Sequence, residues 1–246
     1  MEEALEQQIK NFLKEEFVKP IRKKIEKGIK LKDFNINPFI SISVSSGMCG
    51  CVSGENIAKA LLYPRVFGTS ISTTFGDKMQ KLCTNYLGAV ASGINGMDIE
   101  FEDKKEPQRV VAQLKAGPNT INSGDVSPIV EDMKAASRLL RQNRTQVMPI
   151  FAVCISYGEI TQISSHYKNI SKEEVGSQTN IPVYIGKDFW FRLTGNENFY
   201  SELLTLFIEA FEEEDCSGLF QTNLESLARE IEEKYFVNGV FDINLF

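Results

Sequence analysis

The chain has 246 residues, 42% of them hydrophobic, and a formal net charge of −6; that length and apolar share provide for a substantial core, as one large domain or one domain with a helical appendage. No run of about 18 uninterrupted apolar residues occurs, which excludes a membrane-spanning helix, and the acidic start Met1-Glu2-Glu3-Ala4-Leu5-Glu6 is unlike a secretory signal. Residues 197–246 hold 12 acidic and 2 basic side chains, whereas residues 1–196 hold 25 basic and 21 acidic; any nucleic-acid binding must therefore rely on a shaped, locally positive cleft and not on bulk charge.

Residues 3–30 read as a helix or helix pair, with Leu5, Ile9, Phe12, Leu13, Phe17, Ile21 and Ile25 at helical spacing and Pro20 as a kink or break. The basic run Lys19, Arg22, Lys23, Lys24, Lys27 and Lys30 is a solvated face first and a nucleic-acid backbone contact second. Residues 33–54 read as a loop. A helix follows over 54–63, capped by Ser53 and stopped by Pro64, with Glu55 a favourable acid in its first turn. The hydroxyl-rich Ser70-Ile71-Ser72-Thr73-Thr74 precedes a helix over about 76–91, with Met79, Leu82, Cys83 and Tyr86 inward; such segments cap and turn helices more often than they bind phosphate.

The segments Asp98-Ile99-Glu100-Phe101 and Val110-Val111-Ala112-Gln113-Leu114-Lys115 alternate with period two and predict a β-hairpin. Asp98 and Glu100 share a face with Gln113 and Lys115, while Ile99, Phe101 and Leu114 are buried behind them. Beyond it, Asn119-Thr120-Ile121-Asn122-Ser123 is a polar loop leading to a helix over about 126–142, where Lys134, Arg138 and Arg141 fall on one face. That stripe is read equally as a solvated face or a phosphate contact. Residues 146–158 are nearly all apolar and predict a central strand buried on both faces. A short strand at 182–186 and helices near 187–194, 197–214 and 220–236 complete the chain, with Trp190, Phe191, Leu203, Leu204, Phe207 and Phe211 inward. His166 falls in a polar connection and takes no catalytic role. The five cysteines, an odd number, fit reduced thiols, and Cys49-Gly50-Cys51 lacks the second ligand pair of a structural zinc site. Hairpin, crossover helix and buried strand in that order give an α/β core with a mixed sheet.

The hairpin carries the chemistry of a metal-dependent phosphodiesterase. Hydrolysing a phosphodiester calls for a hard cation to neutralise the non-bridging oxygens and activate water, and such a cation takes carboxylate, carbonyl and amide oxygens. Asp98 supplies one, with Glu100 a candidate second. Lys115 would lie beside the attacking water and orient it or stabilise the developing charge.

The run from Gly96-Met97-Asp98 to Gln113-Leu114-Lys115-Ala116-Gly117-Pro118-Asn119-Thr120-Ile121-Asn122-Ser123 resembles the active-site block of the PD-(D/E)xK nucleases. Its Lys-Ala-Gly-Pro-Asn tail is similar to type II restriction endonucleases that cut GGNCC-containing sites. The resemblance implies a restriction-endonuclease-like core with a mixed sheet flanked by helices, as one nuclease domain over 1–246: a helical segment over 1–32, a catalytic core over 55–195 and an acidic helical segment over 196–246. It implies Mg²⁺ held by Asp98, Gln113, Leu114 and Glu100, with Lys115 catalytic. Glu55 is an alternative upstream ligand, and Asn119, Asn122, Ser123, Lys134, Arg138 and Arg141 are placed on DNA. The chain departs from the pattern at Gln113, where an acid is usual; either Glu100 supplies the missing charge, or the metal is bound loosely or not at all.

The leading expectation is a cytoplasmic, Mg²⁺-dependent restriction endonuclease acting as a homodimer on a short palindromic site in double-stranded DNA, alongside a cognate DNA methyltransferase that it does not contact. The rivals are a DNA-repair or junction-resolving nuclease on the same core, and a catalytically inactive DNA-binding module.

Overall fold

The computed structural model describes residues 1–245 and, within them, all side chains except those of residues 67, 69–74 and 77. The hydroxyls of Ser70, Ser72, Thr73 and Thr74, and with them the phosphate reading of that segment, lie outside the described side chains. The chain divides into two units, Met1–Phe12 with Phe75–Ile208, and Leu13–Thr74 with Glu209–Phe246.

The first unit is built on a five-stranded mixed sheet in sequence order: β1 (Val90–Ala91), β2 (Ile99–Glu102), β3 (Arg109–Lys115), β4 (Ile150–Ile155) and β5 (Val183–Ile185). The first three strands are antiparallel, with Ile99 opposite Ala112 and Phe101 opposite Val110. β4 and β5 then run parallel to β3. The change of direction follows from the connections, since a short polar turn joins β2 to β3 while the 20-residue helix α6 (Ser123–Gln142) returns the chain from β3 to β4. β4 reads as one apolar run because it is buried on both faces. On one face Val111, Phe151 and Val153 pack with Ile129, Val130, Met133 and Ala136 of α6 and with Tyr167 and Ile170 of α7 (Ser165–Ile170). Behind the sheet, Phe101 meets Phe189 edge-on, and Phe189, Trp190 and Phe199 continue a chain of aromatic contacts. Phe189 and Trp190 belong to α8 (Lys187–Thr194), and Phe199 opens α9 (Phe199–Glu212). Trp190 Nε1 donates to the Ser156 carbonyl at 2.8 Å, so the indole is buried without an orphaned N–H.

A buried guanidinium ties the hairpin to α8. Arg192, buried on α8, hydrogen-bonds the fully buried carboxylate of Asp103 in the β2–β3 turn, and it also pairs with Glu106 and Asp188 and stacks over the Tyr184 ring. Asp103 Oδ1 in turn accepts the N–H groups of Lys105 and Glu106. Burial works against the Arg192 charge, but the hydrogen bonds it donates to Asp103 and Asp188 raise its pKa above the ordinary value.

In the second unit Ile57, Ala58 and Leu62 of α4 (Gly54–Tyr63) pack with Leu224, Leu227 and Ile231 of α10 (Ser217–Tyr235). A Cβ on Gly54 would lie 2.6 Å from the Ala228 carbonyl, so the helices meet where one lacks a side chain. Ser53 caps α4 by accepting the Asn56 N–H at 3.1 Å, and Glu55 is paired with Lys59 at 2.6 Å. Within the basic run on α2 (Lys19–Glu26), Lys19 pairs with Glu15 and Arg22 with Glu26 and Glu214, and just before it Lys14 pairs with Glu213.

Several sequence expectations are corrected. Residues 38–49 form a helix, α3 (Pro38–Cys49), and not a loop. Its start and stop signals are present, since Asn37 caps Ile40 N–H at 3.3 Å, Pro38 occupies the first turn, and Gly50 ends it at φ +88°; the Ser- and Ile-rich interior, poor in helix formers, hides them. α5 (Ser72–Tyr86) starts and ends earlier than expected, and π-helical turns over Pro64–Ile71 stand where Pro64 was read as a stop. α6 starts at Ser123 and not near 126. His166 lies on α7, not in a loop. On α9 Leu206 points inward while Leu204 is exposed, and Leu114 is only half-buried. The hairpin β6 (Phe236–Val237) and β7 (Val240–Phe241) was not anticipated.

Replacing Arg192 by Met leaves the Asp103 carboxylate buried and unpaired, and is expected to lower unfolding free energy by about 3–5 kcal/mol; a loss below about 1 kcal/mol in urea melts contradicts the pairing. Burial disfavours the Asp188 charge, but hydrogen bonds from Lys105 and Arg192 hold its carboxyl below its usual value. That contribution is present above about pH 4 and is lost as pH falls through the lowered value, so the acid slope of stability is expected to be shallower in Arg192→Met.

Candidate active site

Asp98 stands one residue before β2, where the ladder to β3 ends. Its backbone is held on three sides: the N–H donates to the Ala112 carbonyl at 2.9 Å, and the carbonyl accepts from Gln80 Nε2 at 2.8 Å and from the Ser92 N–H at 3.2 Å. The side chain continues the ladder, for Oδ2 accepts the Leu114 N–H at 2.7 Å. The other oxygen, Oδ1, accepts no hydrogen bond among the described residues. A carboxylate fixed through one oxygen and open at the other has the chemistry a hard cation takes.

Extending the register by one residue sets Gln113 opposite Asp98. Gln113 is 5% exposed. Its Nε2 donates to the Gly96 carbonyl at 2.7 Å, which fixes the orientation of the amide. Its Oε1 is buried without a hydrogen-bond partner. An acceptor in that state costs about 1–3 kcal/mol, and it is one of two such side-chain atoms among the described residues, the other being Ser164 Oγ. Lys115, two residues on, is half-buried at the end of the same strand face, and its ammonium makes no ion pair among the described residues.

Glu100 does something else. Its carboxylate is 8% exposed and fully engaged: Oε1 accepts from Ser92 Oγ at 2.7 Å, and Oε2 pairs with Arg109. It ties the edge strand to the hairpin, with each oxygen accepting one hydrogen bond. Strand alternation placed Glu100 on the right face, but could not reveal Arg109 diagonally across from it as the partner. Glu55, at the first turn of α4, belongs to the second unit.

The tail after Lys115 is a clamped turn. Ser156 Oγ donates to the Ala116 carbonyl at 2.6 Å, and the Gly117 carbonyl accepts from both Thr120 Oγ1 at 2.9 Å and Tyr167 Oη at 3.2 Å. A Cβ on Gly117 would lie 2.4 Å from Tyr157 Oη, which explains glycine there. Ser92, Arg109, Tyr157 and Tyr167 escaped the sequence reading because their contacts join residues distant in the chain or diagonal across strands.

The expected DNA residues fall in two groups. Asn119, Asn122 and Ser123 are exposed where β3 leads into α6. Asn122 is also the cap of α6, with Oδ1 accepting the Gly124 N–H and its own N–H donating to Asp125, both at 2.7 Å. Asn119 further lines a cavity of about 400 Å³ with Pro118, Thr120, Tyr157 and Gln162. Lys134, Arg138 and Arg141 line a separate cavity of about 540 Å³ with Lys172, Glu173 and Glu174. Lys134 is paired with Glu131 and Glu173 there.

The free oxygen of Asp98, the orphaned Gln113 Oε1 and peptide carbonyls form a donor set of hard oxygens, which fits Mg²⁺ and not a soft metal. The orphaned acceptor is the observation that makes the fit, because a cation would satisfy it. Three comparable acidic or sulfur ligands do not converge anywhere among the described residues. No curated protein matches the chain. The model of one protein family, described as type II restriction endonuclease EcoO109I, matches residues 2–215.

Proposed function

Because the chain belongs to the type II restriction endonuclease EcoO109I family, and is thereby a site-specific deoxyribonuclease, we propose that it is a Mg²⁺-dependent enzyme cutting double-stranded DNA at a short palindromic site of GGNCC type. Asp98, Gln113 and the Leu114 carbonyl would hold the ion. The buried, unpartnered Oε1 of Gln113, the residue opposite Asp98 in the strand register, is the observation that carries this reading. A second observation supports it: Lys115 has no ion pair among the described residues and stands on the same strand face.

In hydrolysis a water oxygen bonds to phosphorus, one ester P–O bond breaks, and the water proton leaves for solvent or the departing oxygen. The cation supplies neutralisation of the non-bridging oxygens. Asp98 and Gln113 position it, with Asp98 fixed through the Leu114 N–H and Gln113 through the Gly96 carbonyl. Lys115 orients the water and stabilises charge developing on the phosphoryl oxygens. Asn119, Asn122 and Ser123 meet the DNA next to the scissile bond, and Arg138, Arg141 and Lys134 meet its backbone further along α6. A homodimer sets one such site on each strand of a two-fold symmetric target, and a cognate methyltransferase protects the host sites. Glu100 is left as a structural carboxylate.

Incubation of plasmid DNA with Mg²⁺ is expected to give discrete bands mapping to one sequence; a smear points to a repair-type nuclease, and no cutting to an inactive module. Lys115→Ala should reduce cleavage at least about a hundredfold with site binding in Ca²⁺ retained, and equal turnover refutes its role. Gln113→Glu is expected to preserve or raise cleavage at low Mg²⁺, since it restores a charged ligand. If Gln113→Glu and Gln113→Ala both track the parent across a Mg²⁺ titration, Gln113 is not a ligand.

A further inference from the structure

The cation site as described has one carboxylate, Asp98, and a neutral amide where a second is expected. A second carboxylate, on α6, stands against Gly96, the residue that anchors the Gln113 amide. Asp132 lies directly over the backbone of Gly96: a Cβ built on that glycine would come 2.5 Å from Asp132 Cγ and 2.6 Å from Oδ2. Gly96 is the residue whose carbonyl receives Gln113 Nε2 at 2.7 Å, and it is two residues from Asp98 in the chain. One glycine thus joins the helix carboxylate to the strand amide. From these contacts we infer that Asp132 is the second carboxylate of the cation site, standing in for the charge that Gln113 lacks; the inference rests on the Mg²⁺ reading of Asp98 and Gln113.

Three observations carry it. Asp132 is half-buried, yet it makes no hydrogen bond or ion pair among the described residues, although Glu131 beside it is paired with Lys134. An unpaired carboxylate held against a peptide backbone is free to take a cation. Gln113 Oε1, at 5% residue exposure, is an unpartnered acceptor on the amide that Gly96 anchors. The placement of Asp132 is also rigid, because Ile129 and Met133, flanking it on the helix, are buried in the core shared with Val111 and Val153 of the sheet. Gly96 allows the approach. Its φ of +79° is left-handed and it has no side chain, so any other residue would displace the carboxylate from the loop.

The test is Mn²⁺ binding by calorimetry on the full chain, alone and with a duplex containing GGNCC, since Mn²⁺ shares the preference for hard oxygen ligands. Asp132→Asn, nearly isosteric, and Asp98→Asn are each expected to weaken Mn²⁺ at least about tenfold, with metal-free melting temperatures recorded as a folding control. Asp132→Ser serves if the Asn variant is unstable. Adding Gln113→Glu to Asp132→Asn should bring affinity back to within about threefold of the parent, because the strand carboxylate then replaces the helix one; a merely structural Asp132 predicts no such rescue. Parental Mn²⁺ affinity in Asp132→Asn, with loss in Asp98→Asn, overturns the role of Asp132 and leaves the Asp98 reading standing. A parent that binds no Mn²⁺ with or without the duplex, or an Asp98→Asn variant unchanged from it, overturns both.

Discussion

The antiparallel register of β2 on β3 is the constraint on which the site depends. Slipping it by one residue would turn Gln113 and Lys115 from the α6 face to the face carrying Phe101 and Phe189, and would separate Asp98 from the Leu114 N–H. Both ends of the hairpin are accordingly pinned by side chains. At the turn, Arg192 and Asp103 form a buried ion pair; at the open end, the Asp98 carboxylate takes over where the backbone ladder stops. Burial of a charge at the turn is costly in itself, and its return is a hairpin that has one way to pair.

The same logic gives Asp98 and Glu100 different fates. Asp98 lies past the last backbone pair, where one oxygen completes the ladder and the other is left open. Glu100 lies within the ladder, next to the edge strand β1, and there Ser92 and Arg109 claim it. Two carboxylates at i and i+2 on one face thus differ, one keeping an oxygen without a hydrogen bond among the described residues and the other bonded through both, according to what the neighbouring strand offers each.

Much of this was legible in the sequence because it was local. The alternation of Ile99, Phe101, Val110 and Ala112 announced the hairpin, the unbroken apolar run of β4 announced a strand covered on both sides, and Ser53 marked the start of α4. The polar loop and basic stripe of α6 could be placed by spacing alone. What stayed hidden was set by contacts across the chain: Arg192 against Asp103, 89 residues apart, Tyr167 against the Gly117 carbonyl, 50 apart, and Asp132 over Gly96. None has a local pattern. α3 failed for another reason, since its core-facing positions are Ser41 and Ser45 while Phe39, Ile40 and Met48 face outward, so an apolar-inward reading of residues 38–49 finds no helix. Net charge misled in a third way, because acids of the C-terminal segment are paired with bases near α2, as Glu213 with Lys14 and Glu214 with Arg22.

The interleaving of the two units bears on how the chain folds as it is made. The apolar face of α4, with Ile57, Ala58 and Leu62 fully buried, finds its cover on α10, which begins about 150 residues after α4 ends. At a synthesis rate of roughly 5–20 residues per second, α4 waits on the order of ten to thirty seconds for that cover. During that interval the strands of the first unit, all of them between Val90 and Ile185, have already emerged. A nascent chain therefore has every strand of the first unit available for pairing before α10 can cover α4, and the exposed α4 face is the surface on which a holding chaperone would act.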